Sequence, residues 1–270
     1  MNTFVRNARV LRRMTVADIV QQSIYRGAWI IFMAANICVP IISLLIWRTA
    51  IANGAGLPVD EQYITTYFVL LSFVTMATSS WMTGFLADDI RLGKLSRWMV
   101  RPASLLLGFV SNNLSEKFLK AFALGPMIGV LWWIFRASMK IPAGPGRWAV
   151  FAVSVVLAAV LVFTIDILIG ALAFWMDDVA ALAQARLIIA SVLSGSVVPL
   201  ALMPDWSRTF VDYQPFRYTV SFPVEIVAGG LSGSDLLVGL GIQLAYVLGF
   251  GVIARRVWSA GIRAYSAVGA

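Results

Sequence analysis

Long apolar runs separated by short polar stretches organise this chain. Ala28–Trp47 reads AWIIFMAANICVPIISLLIW and Ile64–Leu86 reads ITTYFVLLSFVTMATSSWMTGFL. Each supplies about the 20 apolar residues that a helix needs to cross a bilayer. Ala121–Phe135 is short alone but extends backwards along a helix from Leu105. Trp148–Trp175 is interrupted only by Asp166, and Leu187–Met203 and Leu236–Trp258 complete the series. The pattern predicts an all-α polytopic membrane protein with six transmembrane helices in a single domain over residues 1–270.

The polar stretches predict elements of their own. In residues 1–24, Phe4, Ala8, Leu11 and Thr15 share one helical face, while Arg6, Arg9 and Arg13 lie opposite. That is an amphipathic helix lying in the interface with its cations near anionic head groups, or else a positive anchor for the first span. Its basic region is too long for a cleavable signal peptide, and no small-residue cleavage site follows.

Ala87–Pro102, ADDIRLGKLSRWMVRP, predicts a short amphipathic helix over residues 88–102. Asp88 and Asp89 suit its N-terminus, and Arg97 and Arg101 its C-terminus. Leu95, Trp98 and Met99 fall three and four apart on one face. Gly93 costs about 1 kcal/mol in a helix interior, and Pro102 ends the helix. Such a helix is marginal alone, so it packs against lipid head groups or another protein.

Residues 204–230 are too polar and proline-broken to cross, yet carry Trp206, Phe210, Tyr213, Phe216, Tyr218 and Phe222. Two short helices re-entering the outer leaflet fit this stretch, as a gate over a path or as an aromatic belt that anchors the fold.

Composition supports the membrane reading. The 270 residues are 60% hydrophobic and 13% charged, against about 45–50% and about 25% in soluble domains. A net charge of +8 would raise nucleic-acid binding in a soluble protein, but here the cations sit between apolar runs and near the ends. Segments 1–26, 88–120, 176–186 and 255–270 hold fifteen of the 21 Lys and Arg. The remaining six are Arg48, Arg136, Lys140, Arg147, Arg208 and Arg217. The bias puts both termini and the 88–102 helix in the cytoplasm, and no nucleic-acid partner is expected.

Candidate chemistry is sparse. There is no histidine, no Gly-x-x-x-x-Gly-Lys-Ser/Thr loop for ATP, and a single cysteine, Cys38, in an apolar run. Asp166 falls near the middle of the fourth run, where a carboxylate costs about 2.5–3.5 kcal/mol on insertion scales. It lines a path for a cationic substrate, or it bonds to a neighbouring helix. Asp177 and Asp178 read as helix caps, and Arg186 as a side chain snorkelling to the cytoplasmic surface. Glu116, Lys117 and Lys120 read as a solvated helix entering the third span, with a lateral gate as the other reading. The small residues of SVLSGSVVP suit close helix packing.

Three stretches carry a resemblance. DDIRLGKLSRWMVRP, the segment from Ser194 to Gly230 and GIRAYSAVGA at Gly261–Ala270 resemble, in order and spacing, the membrane subunit of ABC-2 type exporters. The resemblance is in particular to the bacterial permeases grouped with viologen and multidrug exporters. Trp98 departs from that pattern, which has further leucines there.

The resemblance implies that the 88–102 helix is a coupling helix docking on a separate ATP-binding subunit, with Asp89, Arg91, Gly93, Lys94, Leu95 and Trp98 as contacts. ATP and Mg then belong to that dimeric partner, this chain carries no cofactor, and it is not itself an enzyme. The resemblance also implies a bacterial inner-membrane location and a second copy or related permease completing the path. Asp166, Trp206, Phe216 and Tyr218 become the expected path or gate.

The competing reading is a proton-coupled transporter with Asp166 as carrier. It lacks a matching acid in the first three runs. A membrane enzyme would need a nucleophile–base pair or a metal set, and neither is visible.

Overall fold

A computed structural model of the chain describes residues 3–24, 26–96, 105–141, 144–231 and 233–265. Among the described residues the structure is helical, without strands. In chain order the helices are α1 (Thr3–Ser23), α2 (Arg26–Ala52), α3 (Glu61–Thr78), α4 (Met82–Arg91) and α5 (Leu105–Phe135). There follow α6 (Pro145–Ala171), α7 (Ala180–Leu193), α8 (Arg208–Tyr213), α9 (Ser221–Ala228) and α10 (Gly233–Ala264).

Among the described residues, four segments are long and apolar enough to cross a membrane: Glu61–Arg91, Leu105–Ser138, Pro145–Phe174 and Gly233–Ala264. They correspond to the second, third, fourth and sixth apolar runs. Two shorter apolar stretches, Ile37–Ala52 within α2 and Ala180–Leu193, account for the first and fifth.

The second span explains how a run dense in Ser and Thr survives there. Asp60 caps α3 by accepting the Tyr63 N–H at 2.7 Å. Thr65, Thr66, Ser72, Thr75 and Thr78 each donate to the carbonyl four residues back, at 2.7–3.0 Å. Their hydroxyls are thereby satisfied without water. The span then breaks at Ser79–Trp81 before α4 begins, a serine pair being a recurrent cause of sharp kinks.

The fifth run does not form the expected helix over Leu187–Met203. α7 starts at Ala180, whose N–H bonds the Asp178 carboxylate at 2.7 Å, and stops at Leu193. Its 14 residues reach about 21 Å, short of the roughly 30 Å hydrocarbon core. Carbonyls at its end are taken by other side chains, Gln214 Nε2 reaching Leu193 O at 2.6 Å and Tyr67 Oη reaching Gly195 O at 2.9 Å. With those acceptors filled, the chain turns away.

α6 is the central pillar, packing on α10, α4, α9 and α3, while α2 lies on α3 and α1 along α5. Side chains bury in two large clusters. One gathers Ile64, Phe68, Leu71, Leu161, Phe222 and Ile226 towards the end where the α2–α3, α5–α6 and α7–α10 connections meet. The other gathers Met82, Leu86, Ile90, Leu95, Phe109 and Ala171 towards the opposite end. α1 turns Leu11 and Thr15 towards α5, as its wheel predicts, and leaves Arg6, Arg9, Arg12 and Arg13 exposed. Ala8, assigned to the same face, is exposed. Two polar ties join the helices: Ser111 Oγ donates to Asp18, and Gln22 Nε2 to Ser115 Oγ.

Candidate functional site

Three polar places stand out in this apolar bundle: the end of α4, a layer of charge between the two clusters, and the segment joining α7 to α10.

α4 buries Met82, Leu86, Ala87 and Ile90. It ends in a left-handed turn: the Lys94 N–H bonds Asp89 O at 2.9 Å, the Gly93 N–H bonds Ile90 O at 3.2 Å, and Gly93 takes φ 68°. This pair of bonds is the Schellman arrangement that closes a helix, with glycine where other residues would be strained. Three expectations are thereby corrected. Asp88 and Asp89 lie in the last turn of a helix, not at an N-terminus, because the second span continues through them. Gly93 is a terminator and not a helix interior residue. Leu95 is 0% exposed, packed in the α4-end cluster, so it is not a free docking contact. Arg91 is exposed, while Asp89, Gly93 and Lys94 are half-buried. Trp98 and the rest of the expected 88–102 helix beyond Ser96 lie outside the described residues.

The layer of charge lies at the seam between the clusters. Asp166, flanked by Ile165 in one cluster and Ile167 in the other, is 0% exposed and pairs with Arg186 Nη2 at 2.8 Å. Arg186 thus turns inward from α7 and does not snorkel, because a buried carboxylate offers it a partner. Ser80 and Thr83 face the same carboxylate, and Thr83 Oγ1 donates to Asp166 O at 3.2 Å.

Glu116 and Lys120 on α5 are buried and paired with each other. Lys120 Nζ also reaches Ser79 Oγ at 2.7 Å and lies 4.7 Å over the Trp81 ring. Lys117 Nζ reaches Ser79 O at 2.9 Å. The solvated-helix reading of Glu116, Lys117 and Lys120 is therefore corrected: the two lysines reach polar atoms of the broken span, and Glu116 pairs with Lys120.

In the third place, all eight residues of α9 are buried. Arg217 holds the segment together, pairing with Asp212 and, at 2.8 Å, with Glu225 Oε2. Burial disfavours its charge, but Glu225 and then Asp212 outweigh that, so the Arg217 pKa stands above the usual arginine value. Ser221 Oγ donates to the other Glu225 oxygen at 2.7 Å. From α10, Gln243 Nε2 donates to Tyr218 O at 2.9 Å and to Ser154 O at 3.0 Å. Arg147 caps Ile226 O and Leu231 O at 3.3 Å.

Beside this segment lies a cavity of about 740 Å³, lined among others by Asp60, Tyr63, Lys140, Arg217, Tyr218 and Glu225. Burial pushes the Tyr218 phenol up to about 12, with Arg217 pulling the other way and Asp212 adding to the rise. It remains a neutral donor, bonded to Asp212 O at 2.9 Å.

The expected path residues do not converge. Tyr218 lines the cavity, whereas Trp206 is 87% exposed, Phe216 is half-buried beside the cavity's lining, and Asp166 belongs to the seam. Arg217, Glu225, Gln243 and Tyr63 escaped the sequence reading. The one signal for the first two was a charge of each sign inside an aromatic, proline-broken stretch. Among the described residues no cluster of metal-ligating side chains occurs.

No curated protein sequence matches the chain. The profile described as ABC-2 family transporter protein matches residues 60–269, from the cap of α3 through α10, and so takes in all three polar places. The chain belongs to the ABC-2 transporter family.

Proposed function

We propose that this chain is the permease subunit of an ATP-driven exporter, forming half of a translocation path. The observation that carries the reading is the family match over residues 60–269. Membership makes the chain a multi-pass membrane transport component, not itself catalytic. The turn after α4 supplies the coupling surface: Arg91 and Lys94 offer positive charge, Gly93 sets the chain direction, and Asp89 holds the turn through its carbonyl. Leu95 seats the segment from inside, and Trp98 is a further contact that the resemblance implies. ATP and Mg act on a separate, dimeric ATP-binding subunit, and this chain holds neither.

The α8–α9 segment and its cavity are the gate on the far side, with Tyr218 lining the cavity and Phe216 and the exposed Trp206 elsewhere on the α7–α10 connection. Both termini face the cytoplasm of a bacterial inner membrane, and lipids surround the bundle. α7 buries no side chain fully and exposes Leu187, Ile188, Ile189 and Val192, which suits a second copy or a related permease beside it. The resemblance to multidrug exporter permeases permits drugs, dicationic organic molecules, antibiotics or lipids as the transported class. A proton-coupled transporter using Asp166 finds less support, since that carboxylate is wholly buried and already paired with Arg186 at 2.8 Å.

The test is to tag the chain, solubilise its native membrane gently and identify what copurifies, beside an Arg91→Glu, Lys94→Glu variant that spares buried Leu95. A nucleotide-binding protein held by the wild type and lost from the folded variant supports the reading. Its absence from wild-type preparations in several detergents refutes it.

A further inference from the structure

The break in the second span coincides with the boundary between the two apolar clusters. Val74 is the last residue of α3 in one cluster and Met82 opens the other. α3 packs against α2, α5, α9 and α6, whereas α4 packs against α6 and the turn that follows α6. The two halves of one span therefore share α6 but otherwise have different neighbours and bury into different clusters, and Ser79–Trp81 joins them along the chain.

A helix break in a membrane frees carbonyls that water does not reach, and neighbours must satisfy them. Here the neighbours are cations from one turn of α5. Lys117 takes the Ser79 carbonyl, while Lys120 takes the Ser79 hydroxyl and Glu116. Ser79 Oγ in turn donates to Met76 O at 3.0 Å. A neutral donor would serve as well for the carbonyl alone. An ammonium on a four-carbon stem has a further property, since its three rotatable donors follow an acceptor through a displacement of an ångström or two. Packed apolar clusters do not deform in that way, because interiors are close-packed and move as units. A flexible ionic seam between two rigid clusters is thus where a bend is best accommodated.

We propose that Lys117 and Lys120 are positioning residues for transport, latching α5 to the hinge at Ser79–Trp81 so that displacement of the α4 end is carried to the third span. This rests on the permease reading above, in which the force arrives at the turn after α4. As that turn moves, α4 swings about Ser80 against the α6 face it packs on, and the two lysines drag α5 with Ser79 without losing their acceptors. Glu116 keeps Lys120 aimed through their ion pair. The Asp166–Arg186 pair ties α7 to the same layer from the other side.

The experiment uses the full chain with its copurified ATP-binding partner in nanodiscs, on a Cys38→Ser background, with labelled chain diluted into unlabelled. Two spin-label pairs are read by pulsed EPR before and after trapping with ATP and vanadate. Phe73 with Leu92 spans the hinge, roughly 28 Å apart on a straight helix. Phe122 on α5 with Val156 on α6 reports transmission. All four positions are exposed.

In the wild type both distances shift. In Lys117→Met, Ser79→Ala the hinge pair shifts and the α5 pair stays put, and restoring Ser79 with Lys117→Arg returns at least half of the α5 shift. The variant keeps the Glu116–Lys120 pair, and its elution profile and thermal midpoint check folding. An α5 shift in the variant equal to that of the wild type overturns the latch and leaves the permease reading standing. A wild type that binds its ATPase yet shows no shift at the hinge pair also overturns the latch. Failure to copurify any ATPase sinks the permease reading and the latch together.

Discussion

Removing the Asp166 charge tests whether the seam holds the fold together. The carboxylate is wholly buried, and the Arg186 guanidinium, 14% exposed, sits 2.8 Å from it. Asp166→Asn keeps the shape and deletes the charge, leaving a guanidinium in an apolar layer. Unit charges about 4 Å apart at an effective dielectric of about 20 attract by ~4 kcal/mol. Breaking a buried pair by deleting one partner costs about 3–5 kcal/mol. Arg186 keeps some contact with the outside, so about 3 kcal/mol is expected.

For a domain of this size that cost lowers the thermal midpoint by roughly 6–12 °C. Fluorescence-detected size-exclusion after heating the purified chain in detergent reads it directly. Asp166→Asn with Arg186→Gln removes both charges and recovers most of the loss, since a neutral pair costs far less to bury. A single variant within 2 °C of wild type, or a double variant as labile as the single, would refute the argument that the two charges compensate one another.

Other expectations are simpler. Gly93→Ala places a side chain at φ 68° and costs about 1–2 kcal/mol, so it lowers the thermal midpoint and weakens retention of the copurified ATPase in a pull-down. Gly261→Ala drives a Cβ into the Phe174 ring, an overpacking cost of about 1–3 kcal/mol. Adding Phe174→Leu restores part of the thermal midpoint if that contact is the cause. Arg217→Gln leaves the buried Glu225 carboxylate without its cation. The α8–α9 segment then loosens and trypsin cuts at Arg208 faster, whereas unchanged cleavage would mean that Gln243 and Arg147 alone hold the hairpin.

Most of the bundle was legible because bilayer thickness dictates the length of apolar runs, and a run such as Trp148–Trp175 admits few other readings. The third helix is legible back to Leu105, where its described residues begin, because apolar residues continue from Ala121 despite three charges. The charges themselves were misread for one reason. Periodicity places Glu116, Lys117 and Lys120 on faces of α5 but says nothing about which neighbour breaks its helix opposite them. Arg186 and Asp166 lie on consecutive helices, so their pairing depends on α7 turning back beside α6 at a depth that hydropathy does not report.

At the α4 end the signal was present. Arg91 in a last turn followed by Gly93 is a C-terminal signature, and the two aspartates before it drew attention to an N-terminus instead. Leu187–Met203 was read as one helix because apolar character persists past Leu193, while the stop comes from acceptors filled by Gln214 and Tyr67.

The shortness of α7 bears on how the protein is made. At 14 residues it is a poor substrate for insertion as a span in its own right. The stretch after it holds α9, which fills a slot between α3 and α6. Those two walls are synthesised long before residues 221–228. Until Arg186 emerges, Asp166 stands in the newly inserted fourth span without its cation, and until Tyr218 and Phe222 arrive, the groove they occupy is open. Completion of the membrane domain therefore waits on the last third of the chain, so nascent chains stalled before residue 230 are the ones that quality-control proteases meet unsealed.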